Sequence, residues 1–195
     1  MIKLIIFDLG GVCFNYEEFE YCELLAEKHS VDKKLLAEYY DELLPEAEID
    51  NVSAEEIWGK LFEKYNIDED VNNSLKEMIK LKKWNVDIKN LIEELRKTYK
   101  TAYYGNYLRT LGKLSDQIFD LSKQFDYGVY SFEIKARKPG KEGFMRIIAH
   151  FSVKPGETLF IDDSERNVKK AEELGIKGIK FDNLEQLKKE LIGKL

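Results

Sequence analysis

The apolar positions divide the chain into two textures. Leu4-Ile5-Ile6-Phe7 is an unbroken apolar run that stops at Asp8 and is followed by Leu9-Gly10-Gly11-Val12, the pattern of a buried strand turning sharply at its carboxyl end. From about Tyr16 to Lys83 the apolar residues recur at three- and four-residue spacing, as in Phe19, Cys22, Leu25 and again Ile57, Leu61, Phe62, which predicts helices and no strands. Ser53-Ala54-Glu55-Glu56 has the form of a capping box opening one of those helices, and Asn66 and Asp68 fall in the next break. After Asp87 a helix near Ile88–Lys97 is followed by short apolar runs, Thr101–Tyr104, Tyr127–Ser131, Thr158–Ile161 and Gly178–Phe181, separated by helical stretches. Strands alternating with helices predict βαβ units and a parallel sheet. The fold expected is therefore α/β: a doubly wound parallel sheet with an inserted all-helical cap. The core domain is assigned to residues 1–14 and 86–195, and the cap to 15–85.

Composition narrows the function classes. The 195 residues are 44% hydrophobic and 35% charged, an ordinary globular balance with enough chain for one core and an insertion. A net charge of −6 with dispersed cations gives no nucleic-acid footprint. No apolar stretch approaches membrane-spanning length and none has the form of a leader, so a cytoplasmic location is expected. Two cysteines, Cys13 and Cys22, and two histidines, His29 and His150, are not at zinc-ligand spacing. The oligomeric state leaves no signature.

Three groups carry candidate chemistry. Asp8 stands where open α/β sheets place ligands, beyond the carboxyl end of a strand; as an isolated feature it reads more readily as a helix cap. Asp162-Asp163 ends a second apolar strand and leads through Ser164 and Asn167 into a helix. Adjacent carboxylates repel, and a shared cation or helix-dipole compensation accounts for the pair. Arg137-Lys138-Pro139-Gly140 lies just ahead of another helix, as a binding lysine or a solvated basic turn. Their coincidence on one side of one sheet favours a site. Tyr39, Tyr40 and Trp58 in the insertion fit a pocket wall or, at helical spacing, the core.

With these motifs in order, the chain resembles the haloacid dehalogenase superfamily, and most closely its sugar-1-phosphatase-like branch with a helical cap. The likeness rests on Ile5-Ile6-Phe7-Asp8-Leu9-Gly10-Gly11-Val12, Gly105-Asn106, Arg137-Lys138-Pro139, and Phe160-Ile161-Asp162-Asp163-Ser164 with Asn167 and Gly175. It implies a phosphohydrolase of small phosphorylated metabolites in which Asp8 attacks phosphorus and forms an aspartyl-phosphate. It also implies Mg²⁺ held by Asp8, the Gly10 carbonyl and Asp163, with Asp162 acting through water. Lys138 would bridge nucleophile and phosphoryl group, and Gly105 and Asn106 would bind phosphate.

Two positions depart from the family pattern. The proton donor two residues after the nucleophile is replaced by Gly10, and the hydroxyl of the second motif by Gly105. Asn15 and Glu17 lie nearby, with nothing in the sequence to bring Glu17 to the site. A general acid is worth roughly 10²–10⁴ in rate, so hydrolysis is expected to depend steeply on leaving-group pKa. Gly10→Asp is then expected to favour sugar phosphates, and Gly105→Ser to raise turnover of all substrates. The competing readings are a catalytically degenerate protein that binds a phosphate ligand or a protein partner, and related dehalogenation or carbon–phosphorus cleavage.

Overall fold

The apolar run after the amino terminus becomes the middle strand of a five-stranded sheet. The computed structural model describes residues 1–195, with strands β1 (Leu4–Phe7), β2 (Lys100–Gly105), β3 (Tyr127–Tyr130), β4 (Thr158–Asp162) and β5 (Lys177–Lys180). All neighbours pair parallel in the order β3-β2-β1-β4-β5. The chain thus builds outward from β1 on one side and then on the other. The crevice between the ends of β1 and β4 is a topological switch point, where such sheets place ligands.

Side-chain alternation assigns the two faces. Leu4 and Ile6 share one apolar cluster with Ala102, Tyr104, Phe160 and the helix carrying Phe144, Ile147 and Ile148. Ile5 and Phe7, one residue out of step, join a larger cluster with Leu159, Ile161, Ile88 and Ile92 that continues into the helices of residues 17–81. A strand buried on both faces needs no polar positions, which is why β1 reads as a continuous apolar run.

Five helices lie between β1 and β2, and the first four form the insertion: α1 (Glu17–His29), α2 (Lys33–Glu48), α3 (Ala54–Tyr65) and α4 (Val71–Leu81). Asp32, Ser53 and Asp70 cap α2, α3 and α4, and the Ser53–Glu56 capping box is present as expected. Asn66 ends α3 in the left-handed conformation. Helices α5 (Val86–Leu95), α6 (Arg109–Phe119), α7 (Leu121–Gln124), α8 (Ser131–Ile134), α9 (Glu142–Phe151), α10 (Glu165–Glu173) and α11 (Leu184–Lys194) complete the chain. The third strand ends one residue earlier than its apolar run, because Ser131 starts the short turn α8. No helix is long and apolar enough to cross a membrane.

The two connections to the four-helix insertion are fastened to each other. The Asn15 side chain accepts a bond from the Lys83 amide at 2.6 Å and donates to the Leu81 carbonyl at 3.0 Å. Phe14 and Trp84 pack with ring centroids 4.2 Å apart and planes tilted by 31°. A buried cluster lies just inside this junction: Lys82 Nζ is 2.8 Å from Glu17 Oε1 and 2.5 Å from the Tyr107 hydroxyl, which also donates to Glu17.

Candidate functional site

The switch point holds the predicted residues together. Asp8 follows β1, Asp162 closes β4, and Asp163 comes next in the chain; one carboxylate oxygen from each lies within 4.8 Å of the others. Lys138, brought in by the segment between α8 and α9, has its ammonium 2.5 Å from Asp8 Oδ1 and 2.7 Å from Asp162 Oδ2. It is buried, as are both partners.

Neighbouring polar groups fix these side chains. The Leu9 amide donates to Asp8 Oδ1 at 2.6 Å. Asp162 accepts from the Ser164 amide at 2.8 Å and from Asn167 Nδ2 at 3.1 Å. Asn106, at the end of β2, uses its side chain on the Lys138 backbone, accepting from its amide at 2.7 Å and donating to its carbonyl at 3.2 Å. It therefore positions the lysine. Any contribution of Asn106 to phosphate comes from its backbone.

The charges are unbalanced without a further cation. Burial raises the Asp8 carboxyl well above its ordinary value, and repulsion from Asp162 adds to this against the pull of Lys138. Burial likewise raises Asp163, with the Tyr16 hydrogen bond opposing the rise and the Asp162 charge adding to it. Burial disfavours the Lys138 charge, but Asp162 and Asp8 more than restore it and hold the ammonium protonated. Three carboxylates and one ammonium leave an oxygen-lined deficit of positive charge that fits a hard divalent cation.

The two glycine positions are filled by neighbours. A Cβ on Gly10 would lie 2.9 Å from Cε1 of Tyr16, whose hydroxyl donates to Asp163 Oδ2 at 2.7 Å. A Cβ on Gly105 would lie 2.9 Å from Cδ1 of Leu9. Gly11 has φ +71° and a Cβ there would fall 2.2 Å from Asp163 Oδ2, so this glycine is required by both conformation and space. Gly10→Asp and Gly105→Ser would therefore each require a neighbouring side chain, Tyr16 or Leu9, to shift.

Between this centre and the insertion lies a small cavity of about 80 Å³. Gly10, Asn15, Tyr16 and Asn106 line it on the core side, and Glu17, Glu18, Tyr40 and Glu48 on the insertion side. Glu17 therefore reaches the cavity wall, with its carboxylate committed to Lys82 and Tyr107. Tyr40 is both core and wall: it is fully buried and its hydroxyl has no partner. Trp58 is fully buried and belongs to the core, while Tyr39 packs at its margin. Reading the sequence missed Tyr16, Glu18 and Glu48. Their signal was weak: each is one polar residue in or beside a helix already rich in Glu and Tyr.

A parallel sheet with an acidic cluster and a buried lysine at its switch point defines a class of doubly wound α/β proteins. The chain belongs to the haloacid dehalogenase-like hydrolase family, whose model matches residues 5–181. It is similar to flavin mononucleotide hydrolase 1 of Arabidopsis thaliana, at 42% identity over 55 residues, which is 28% of this chain and only 22% of that relative's length. A predicted haloacid dehalogenase-like hydrolase from Porphyromonas gingivalis aligns over 100% of both chains, with 25% identity and a TM-score of 0.72. A haloacid dehalogenase family enzyme from Bacteroides thetaiotaomicron, solved with magnesium and inorganic phosphate, shares the fold. It aligns at TM-score 0.77 and 23% identity, over 96% of this chain and 99% of that one.

Proposed function

We propose that this family member is a Mg²⁺-dependent phosphohydrolase that cleaves a small phosphorylated metabolite through an aspartyl-phosphate on Asp8. The observation that carries the reading is the Asp8–Lys138–Asp162 chain of contacts, 2.5 and 2.7 Å, with Asp163 completing a three-carboxylate cluster. A nucleophilic carboxylate needs to be ionised and aimed, and Lys138 favours the ionised form and fixes its direction, its ammonium beside the place an incoming phosphoryl oxygen would take. Asp8 attacks phosphorus, the ester oxygen leaves with the bonding electrons, and water then displaces Asp8 to release phosphate.

The donor set fits Mg²⁺ held by Asp8, the Gly10 carbonyl and Asp163. Asp162, occupied by Lys138, Ser164 and Asn167, would stand behind those donors and hold Lys138 in place. When bound, the cation neutralises the phosphoryl oxygens and offsets the repulsion among the carboxylates. The family membership and the Arabidopsis relative, named a flavin mononucleotide hydrolase, support phosphate-ester chemistry. The cavity of about 80 Å³ favours a leaving group far smaller than a flavin, since drug-sized ligands occupy roughly 300–1,000 Å³.

A second reading, a degenerate member that binds phosphate or a partner without turnover, draws on Tyr16 and Leu9 filling the two glycine sites. One experiment separates the two. Purified protein is assayed on p-nitrophenyl phosphate, acetyl phosphate, sugar phosphates and flavin mononucleotide, with and without Mg²⁺, against Asp8→Asn as blank. Mg²⁺-dependent turnover above the blank is expected; none on any ester leaves the binding reading.

A further inference from the structure

We propose that Glu18 is the general acid of this site, donating its carboxyl proton to the ester oxygen as it leaves phosphorus and so filling the role for which Gly10 has no side chain. The proposal rests on the phosphohydrolase reading and adds the residue that reading lacks.

Three carboxyl groups face the cavity that joins Gly10 to the insertion, and they differ in their partners. Glu17 is held by Lys82 and Tyr107. Glu48 Oε2 lies 2.5 Å from Arg137 Nε. Glu18 is only 9% exposed and has no ion pair; its own backbone amide is its only polar support. A buried carboxyl with carboxylates on either side and no cation of its own keeps its proton. Burial and the Glu17 charge push the Glu18 carboxyl up to about 8, against the pull of Lys82, with Glu48 raising it further. Around it lie Glu17 and Cys22 on its own helix, Tyr40 and Glu48 on α2 and Lys82 after α4, with Tyr16 and Tyr107 lining the same cavity. The two nearby cations are committed elsewhere, Lys82 to Glu17 and Arg137 to Glu48.

The wall of the same cavity offers a second polar group. The Tyr40 hydroxyl is buried and has no protein partner, so it is free to bond a ligand oxygen. The leaving group suited to this wall is a small hydroxyl-bearing fragment, its ester oxygen toward Glu18 and another oxygen toward Tyr40. The proton balance closes over two steps. Glu18 gives its proton to the departing oxygen, and its carboxylate then takes one from the water that attacks the aspartyl-phosphate.

The test is Glu18→Gln, which keeps shape and removes the proton. On glycerol phosphate, a poor leaving group, kcat/KM should fall roughly 10²–10⁴-fold. On p-nitrophenyl phosphate, which leaves unaided, it should change by under about tenfold. The native pH–rate profile on glycerol phosphate should show a falling alkaline limb near 8 that the variant lacks. Equal losses on both substrates, or none on either, would overturn the proposal. A separate readout needs no turnover: the difference infrared spectrum at pH 7, native minus Glu18→Gln, should contain a protonated-carboxyl band. Its absence also rejects Glu18 as the acid. Native turnover no better than that of Asp8→Asn, with the band present, rejects the phosphohydrolase reading instead, and the catalytic role of Glu18 with it.

Discussion

At the scale of single residues, what a position lacks matters as much as what its neighbours have done with the space. Gly10 removes a carboxyl from the site, and the Tyr16 ring stands 2.9 Å from where that side chain would begin. In a Glu18→Gln background, Gly10→Asp alone should therefore leave glycerol phosphate turnover low, while adding Tyr16→Ala should raise it at least about tenfold by making room for a proton donor. Equal rates for the two variants would show that the ring moves aside freely. Gly105→Ser meets buried Leu9 and should cost about 1–3 kcal/mol in urea denaturation, the usual penalty of overpacking. Glu18 also links function to stability. Its folded pKa, about 8, is above the ordinary glutamate value of 4.5, so the folded state binds the proton more tightly and stability falls as pH rises through that interval. Glu18→Gln should flatten the native stability profile between about pH 5 and 8; parallel profiles would contradict the raised value. The sequence displayed Asp8, Lys138, Asp162 and Asp163, because each sits at a strand end or beside a turn. It could not display Tyr16 against Gly10, a contact made by the fold of the loop.

At the scale of elements, the insertion is joined to the sheet by polar contacts as well as apolar ones. Glu17 opens α1, Lys82 follows α4 and Tyr107 follows β2, so one buried cluster ties both connections to the core. Lys82→Met leaves Glu17 buried without its cation and should destabilise the protein by about 3–5 kcal/mol. The double variant Glu17→Met/Lys82→Met should recover most of that, because two apolar groups avoid the desolvation that one stranded charge incurs. A double variant no more stable than the single would mean the pair contributes net attraction. This cluster was illegible in the sequence for a plain reason. Lys80, Lys82 and Lys83 are alike as letters, and only the end of α4 at Leu81 turns the middle one inward. The strands, by contrast, were readable to within a residue or so, since burial on both sheet faces writes itself as unbroken apolar runs.

At the scale of the whole molecule, the doubly wound topology concentrates charge at one point. Building outward from β1 in both directions brings the ends of β1 and β4 side by side, and with them three carboxylates against one ammonium. A fold that gathers like charges stores repulsion, and a cation that binds only the folded state releases it. Two opposite effects then follow from one substitution. Asp163→Asn removes a charge from the cluster while its amide oxygen can still accept the Tyr16 hydrogen bond. In metal-free buffer the variant should melt at or above the native temperature. Mg²⁺ at a hundred times its Kd should stabilise the native protein by about 2.7 kcal/mol. For a chain of this length that is a rise of roughly 5–11 °C, and the variant should show little of it. Calorimetric scans with and without Mg²⁺ therefore have curves that cross: the variant is level or ahead without the ion and behind with it. A variant that melts lower in both conditions by the same margin would make Asp163 a structural residue, and one that responds to Mg²⁺ as the native protein does would place the ion elsewhere.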